Sequence, residues 1–189
     1  MRPIVPQLVV RLSGLGLLCV VVQIALVSQL SVFGTNADLL PLVVAAVGLL
    51  TGSVSGAVFG FSVGLFLDLA FVQTVGLSSL VYVAVGYLAG RARELRDPRG
   101  ALVPPALGAA ATAVATVGYA LMQFLIGVEA PVSFLLAREI LATILLNAVI
   151  ATPLFAAVRR VLAPALPDDP RRRRRRAYTT GGLSPLHRA

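Results

Sequence analysis

The sequence predicts an all-α, polytopic membrane protein with six transmembrane helices, and three observations support this fold class. First, 58% of the 189 residues are apolar and only 13% are charged, whereas a soluble domain carries about 25% charged residues. Second, several apolar runs approach the roughly 20 residues that a helix needs to cross a bilayer. Third, most of the sixteen basic residues, all of them arginines, lie between or beyond these runs.

The first three spans follow from the apolar runs in the amino-terminal half. The run over residues 12–33 exceeds the 7–15 apolar residues of a signal peptide, so it predicts a retained helix. The second run, residues 39–50, has a proline near its start, where a missing N–H does no harm. A glycine- and serine-containing turn over residues 52–55 then leads into a third span that ends near residue 71.

The remaining spans are predicted over residues 77–90, 106–126 and 134–158, and Pro153 is expected to kink the last of them. A charged loop over residues 91–99 separates the fourth span from the fifth. The chain therefore divides into a cytoplasmic amino terminus (1–11), a six-helix transmembrane domain (12–163) and a basic, disordered cytoplasmic tail (164–189).

The distribution of arginines predicts the orientation, because short cytoplasmic loops of membrane proteins are enriched in basic residues. With six spans and the amino terminus inside, fifteen of the sixteen arginines fall on the inner side. Five spans would place the 91–99 loop and the basic tail on opposite sides. The sequence thus favours a multi-pass membrane protein with both termini cytoplasmic.

Small residues recur at every fourth position of the third span, which places Gly52, Gly56, Gly60 and Gly64 along one helix face that ends at Asp68. Missing side chains let another helix approach closely. That helix belongs either to the same chain or to a partner. A carboxylate in this setting needs a polar companion, so Asp68 either binds a partner, an ion or a proton, or accepts hydrogen bonds from nearby backbone.

Other polar residues allow two interpretations each. Arg138 and Glu139, at the start of the sixth span, either form a polar site with Asp68 or extend to the outer interface. Asn147 lies in mid-span, where it either bonds a neighbouring helix or contacts a ligand. The arginine run of the tail follows a membrane span, which favours contact with anionic lipid or an acidic cytoplasmic protein over nucleic acid. This run comprises Arg171, Arg172, Arg173, Arg174, Arg175 and Arg176.

Several classes of function are disfavoured by what the sequence lacks. It has one cysteine, Cys19, and one histidine, His187, so no transition-metal site is expected. It has neither a phosphate-binding glycine loop nor a nucleophile motif. We therefore expect neither enzymatic activity nor a cofactor, and an ion channel would need more buried charge.

The stretch over residues 33–90 resembles the family of rod shape-determining proteins called MreD. The features that carry the resemblance are Asn36-Ala37-Asp38-Leu39-Leu40, the glycine series from Gly52 to Asp68, Gly76-Leu77 and Gly86-Tyr87. Chain length, span number, short loops and the basic carboxyl end agree with it as well.

The resemblance implies a non-enzymatic scaffold of the bacterial cell-wall elongation complex, which regulates cell shape and peptidoglycan synthesis. It implies binding to MreC and association with MreB, RodA and a class B penicillin-binding transpeptidase. We expect the transmembrane helix of MreC to approach along the glycine face, with Asp68 setting its register near the outer face. It also implies a fold similar to the six-helix substrate-binding subunits of energy-coupling-factor vitamin transporters. The alternative is therefore a substrate-binding subunit of a small-molecule transporter, which would have an outward pocket of polar and aromatic side chains.

Overall fold

The computed structural model describes residues 4–27, 31–32, 35–36, 38–71, 74–95, 102–127 and 134–165, and this part of the chain is helical almost throughout. The six helices are α1 (Ile4–Val22), α2 (Leu40–Thr51), α3 (Ser53–Ala70), α4 (Leu77–Leu95), α5 (Val103–Leu125) and α6 (Phe134–Leu162). A π-helical turn, Gln23–Val27, continues α1. Two short antiparallel strands follow it, β1 (Ser31–Val32) and β2 (Thr35–Asn36), with Ser31 opposite Asn36. The predicted helical fold class is confirmed.

Four segments are long and apolar enough to cross a membrane: Gln7–Ala25, Ser53–Ala70, Val103–Leu125 and Ile140–Leu162. Helix α2 is shorter, with 12 residues, and α4 ends in a charged segment. The first helix begins at Ile4, eight residues before the predicted span, because the residues ahead of that span are also apolar. The six membrane crossings themselves remain a prediction.

Helix α2 forms the centre of the bundle. Every residue from Leu40 to Leu49 is buried, as expected for a helix that is apolar on all sides. It packs against α3, α4, α5 and α6. The core around it combines valines of α2 with aromatic and aliphatic side chains of α3 and α4, such as Phe59, Tyr82 and Val85.

The outer helices expose large apolar side chains. Leu18 of α1, Phe61 of α3, Leu121 of α5 and Val149 of α6 are all exposed. A water-soluble protein rarely shows apolar surface on so many faces. Lipid is the solvent that suits these faces, so the pattern agrees with a membrane protein.

Candidate functional site

The glycine face of α3 lies directly against α4. A Cβ atom added at Gly56 would stand 2.5 Å from the Gly86 carbonyl oxygen, and one at Gly64 would stand 2.5 Å from the Ser79 Cα. One at Gly60 would collide with the Tyr82 carbonyl group. We call Gly56, Gly60 and Gly64 the glycine seam. Along it the two helices touch backbone to backbone, which only a missing side chain permits.

Helix α4 contributes glycines of its own to this contact. A Cβ at Gly86 would collide with the Gly56 carbonyl group, and one at Gly90 would collide with the Ser53 backbone. A Cβ added at Gly48 of α2 would also stand 2.5 Å from the Gly86 carbonyl oxygen. Three helices therefore converge at Gly48, Gly56 and Gly86. The four-residue spacing of Gly86 and Gly90 was the sequence signal for the α4 side of this contact.

Gly52 plays a different part from the other predicted packing glycines. Nothing lies within 4 Å of a Cβ built on it, and its φ angle is +108°. That backbone conformation is unfavourable for other residues. Gly52 thus makes the sharp turn between α2 and α3, and α4 occupies the seam that follows it. A partner's helix has no room on the seam while α4 stays in place.

Asp68 lies at the end of the seam and is only 1% exposed. Its Oδ2 accepts a hydrogen bond from the Gly76 N–H at 2.7 Å, and its Oδ1 accepts one from the Ser78 N–H at 3.2 Å. Helix α4 begins at Leu77, and the first N–H groups of a helix have no partner within it. A carboxylate is also favoured at the positive end of a helix. Asp68 therefore caps α4 and fixes the α3–α4 hairpin.

Two more carboxylates cap helices. Asp38 Oδ1 accepts a hydrogen bond from the Leu40 N–H at 3.2 Å, in the first turn of α2. Glu94, near the end of α4, accepts hydrogen bonds from the Ser53 hydroxyl at 2.7 Å and the Ser53 N–H at 3.4 Å, at the start of α3. Hydrogen bonds from Ser53 and then Arg91 lower the pKa of Glu94. Helix α3 has no cap from its own preceding residue, so α4 supplies one.

Asp38 and Asp68 are joined by a chain of hydroxyl groups. The Tyr82 hydroxyl lies within hydrogen-bonding reach of both the Asp38 carboxylate and the Tyr119 hydroxyl. Tyr119 donates a hydrogen bond to the Ser78 hydroxyl, and Ser78 is the residue whose N–H reaches Asp68. The two tyrosine rings meet edge to face, 6.2 Å apart. Asp38 is thus a second acid within the helix bundle, although it lies in the sequence between the predicted first and second spans, 12–33 and 39–50.

Asn147 anchors the Asp38 segment to the middle of the bundle. Its side chain is fully buried, and its Nδ2 donates hydrogen bonds to the Asp38 carbonyl oxygen and the Thr112 hydroxyl, both at 3.0 Å. Thr112 and Asn147 lie near the midpoints of α5 and α6. Helix α2 therefore begins deep within the bundle, in agreement with its length of only 12 residues.

The other predicted site residues are not brought into this network by the described part of the structure. The Arg138 side chain is exposed. The Glu139 side chain and the arginine run from Arg171 to Arg176 lie outside the part of the chain that the structure describes. The polar site of Arg138, Glu139 and Asp68 that the sequence suggested therefore remains a prediction, whereas Asn147 contacts Asp38.

The described residues form no group of three or more histidine, cysteine, aspartate and glutamate side chains that could hold a metal ion. Within the same residues, the one salt bridge joins Arg91 to Glu94 at 3.0 Å on the surface. The carboxylates that the structure places are engaged with helix ends. What the arrangement does chemically is hold helices together.

Comparison with known proteins identifies the family. Searches of curated proteins and of solved structures returned no match. The family model for the rod shape-determining protein MreD matches residues 4–163, which include all six helices. This match covers most of the chain and agrees with the apolar helices of a membrane protein. The chain therefore belongs to the MreD family of rod shape-determining proteins.

Proposed function

We propose that this protein is a non-enzymatic membrane scaffold of the cell-wall elongation complex that binds MreC and thereby helps regulate cell shape and peptidoglycan synthesis. Membership of the MreD family is the observation that carries the proposal. The engagement of Asp38, Asp68 and Glu94 in helix capping supports a structural rather than a catalytic role.

We further propose that the chain crosses the inner membrane six times with both termini in the cytoplasm. Contacts between helix ends support this alternation. Arg11, in the first half of α1, donates a hydrogen bond to the Val161 carbonyl group at the end of α6, at 2.7 Å. Arg93, near the end of α4, donates to the Leu50 carbonyl group near the end of α2. An up-and-down chain brings these ends to one side, and their arginines suit the cytoplasmic side.

The MreC-binding surface is proposed to lie outside the glycine seam, since α4 packs on that seam. The exposed apolar faces of the outer helices remain open to a transmembrane helix of MreC. The basic tail, Arg171 to Arg176, is proposed to contact anionic lipid or MreB. RodA and the class B penicillin-binding transpeptidase are proposed to join through the assembled complex.

The proposal is tested by affinity purification from native membranes combined with a cross-linking scan. A photoreactive amino acid replaces one exposed residue on each of four helices: Leu18, Phe66, Leu121 and Val149. We expect MreC to co-purify and to form adducts at one helix or at two neighbouring helices. The same photoreactive residue in place of Tyr87, which is exposed on α4, extends the scan to that helix.

Two results would contradict this proposal. One is the absence of MreC from material purified without cross-linking. The other is an equal and low yield of adducts at every position. Each variant is first checked for an unchanged unfolding midpoint, so that a lost adduct reflects the contact and not the fold.

The transporter-subunit alternative retains one supporting observation, the polar and aromatic network of Tyr82, Tyr119 and Ser78 inside the bundle. A substrate pocket would use such groups. Mass spectrometry of small molecules released from the purified protein separates the two functions. A stoichiometric metabolite would favour the transporter subunit, and its absence together with bound MreC would favour the scaffold.

A further inference from the structure

The Asp38 carboxylate lies in a polar region between the end of α1 and the helices α2, α4 and α6. It accepts hydrogen bonds from Gln23 Nε2 at 3.3 Å and from the Leu40 N–H, and it is within reach of the Tyr82 hydroxyl. All of these donors are neutral. The described residues include no arginine in contact with Asp38. Asp38 is half-buried, and a carboxylate that is partly removed from water without a cation is destabilising even when it is hydrogen-bonded.

A second, independent feature of the same region is an unsatisfied oxygen atom. Asn147 Oδ1 is fully buried and has no hydrogen-bond partner in the described structure. The amide nitrogen of the same group bonds the Asp38 carbonyl oxygen and the Thr112 hydroxyl, and these two acceptors fix which end of the amide is the nitrogen. Because Oδ1 is bonded to the same carbon as that nitrogen, it lies close to the Asp38 segment. A buried acceptor of this kind requires a donor or a cation.

We propose that this region binds one monovalent alkali cation, through the Asp38 carboxylate and Asn147 Oδ1. The Asp38 carbonyl oxygen and the Thr112 hydroxyl, which accept hydrogen bonds from the nitrogen end of the same amide, are further neutral oxygens beside the site. Hard cations take oxygen ligands of these types. Asp38 supplies one negative charge to the site, which a monovalent cation balances. Asp68 does not add a second charge, because both of its oxygens accept hydrogen bonds from the Gly76 and Ser78 N–H groups. Membrane proteins form such sites where helices are interrupted, and here α1 ends and α2 begins within the bundle.

A water molecule is the competing occupant, and it makes a different prediction. Water would satisfy Asn147 Oδ1 but would leave the charge of Asp38 uncompensated. The stability of the protein would then be insensitive to the identity of the cation in the buffer. An alkali cation that binds the folded state alone raises the unfolding temperature as its concentration increases.

The experiment measures thermal unfolding of the purified full-length protein in detergent. The buffers contain sodium, potassium or N-methyl-glucamine chloride at equal ionic strength, the last being too large to enter. We expect sodium or potassium to raise the unfolding midpoint by about 3–6 °C when present at roughly ten times its dissociation constant. Titration of each ion against the other identifies which one the site prefers.

Two matched variants locate the effect. Asp38→Asn preserves the shape of the side chain but removes its charge, so the ion-specific shift should vanish. Glu94→Gln removes an exposed carboxylate at the other end of α4, so the shift should persist. Equilibrium binding of radioactive sodium to the wild-type protein provides a readout that does not depend on the folding of a variant. One saturable ion per chain is expected.

Three results would each overturn the proposal. The first is a wild-type midpoint that is the same in all three salts, together with no saturable ion. The second is an ion-specific shift that survives in Asp38→Asn. The third is a shift that is lost equally in Glu94→Gln, which would place the ion at the surface.

Discussion

The substitution Gly56→Ala tests whether backbone contact between helices stabilises this fold. The added Cβ atom would lie 2.5 Å from the Gly86 carbonyl oxygen and 2.6 Å from the Gly48 Cα, whereas ordinary contact begins at 3.4 Å. To restore an ordinary contact, α3 and α4 must move apart by about 0.9 Å (3.4 minus 2.5). Neither neighbour has a side chain that could rotate away. We expect this overpacking to lower the free energy of unfolding by about 1–3 kcal/mol.

Gly14→Ala is the matched control, because Gly14 is also helical and nothing lies within 4 Å of its added Cβ. Both variants gain up to about 1 kcal/mol of helix propensity from alanine. The difference between them therefore isolates the packing penalty, equivalent to a gap of about 2–12 °C between their unfolding midpoints. Midpoints are measured by thermal unfolding in detergent. Equal midpoints, or a more stable Gly56→Ala protein, would refute the reasoning.

Two further predictions concern the capping carboxylates. In Asp68→Asn, one of the two N–H groups at the start of α4 faces the amide NH₂ group, which cannot accept its hydrogen bond. We expect the free energy of unfolding to fall by about 1–3 kcal/mol. An unchanged denaturation midpoint would contradict the assigned cap. Glu94 has a folded-state pKa below its usual value of 4.5, so its contribution is present above that pH and is lost as the pH falls through the lowered value. Thermal unfolding of Glu94→Gln should therefore lack the part of the acid sensitivity that the wild type shows below pH 4.5, and matching pH profiles would argue against it.

The sequence was sufficient to predict the helical fold and the small-residue face of α3, because both depend on local composition and spacing. Apolar runs identify helices regardless of their neighbours. The spacing of Gly56, Gly60 and Gly64 predicted a close helix–helix contact. It did not identify the partner helix, since that depends on which element packs there. The sequence feature that indicates α4 as the partner is the same four-residue spacing in Gly86 and Gly90 on that helix.

The buried polar network could not be predicted from the sequence. Asp38 stands in a polar stretch that reads as a surface loop. It enters the bundle because α2 is short and begins at the depth of Asn147, which is 109 residues away in the chain. A hydrogen bond between residues so far apart in the chain cannot be recognised from the local composition around either of them. The same holds for Glu94 and Ser53, which are 41 residues apart.

The cap that α3 receives from Glu94 has a consequence for synthesis. Ser53 is synthesised 41 residues before Glu94, so the amino end of α3 lacks this hydrogen-bonding partner when it is first made. The hydrogen-bond donors of Asp68, the Gly76 and Ser78 N–H groups, are likewise synthesised after it. Neither helix is complete without the other. The hairpin is therefore expected to reach its final packing in a single step, after Glu94 has been synthesised.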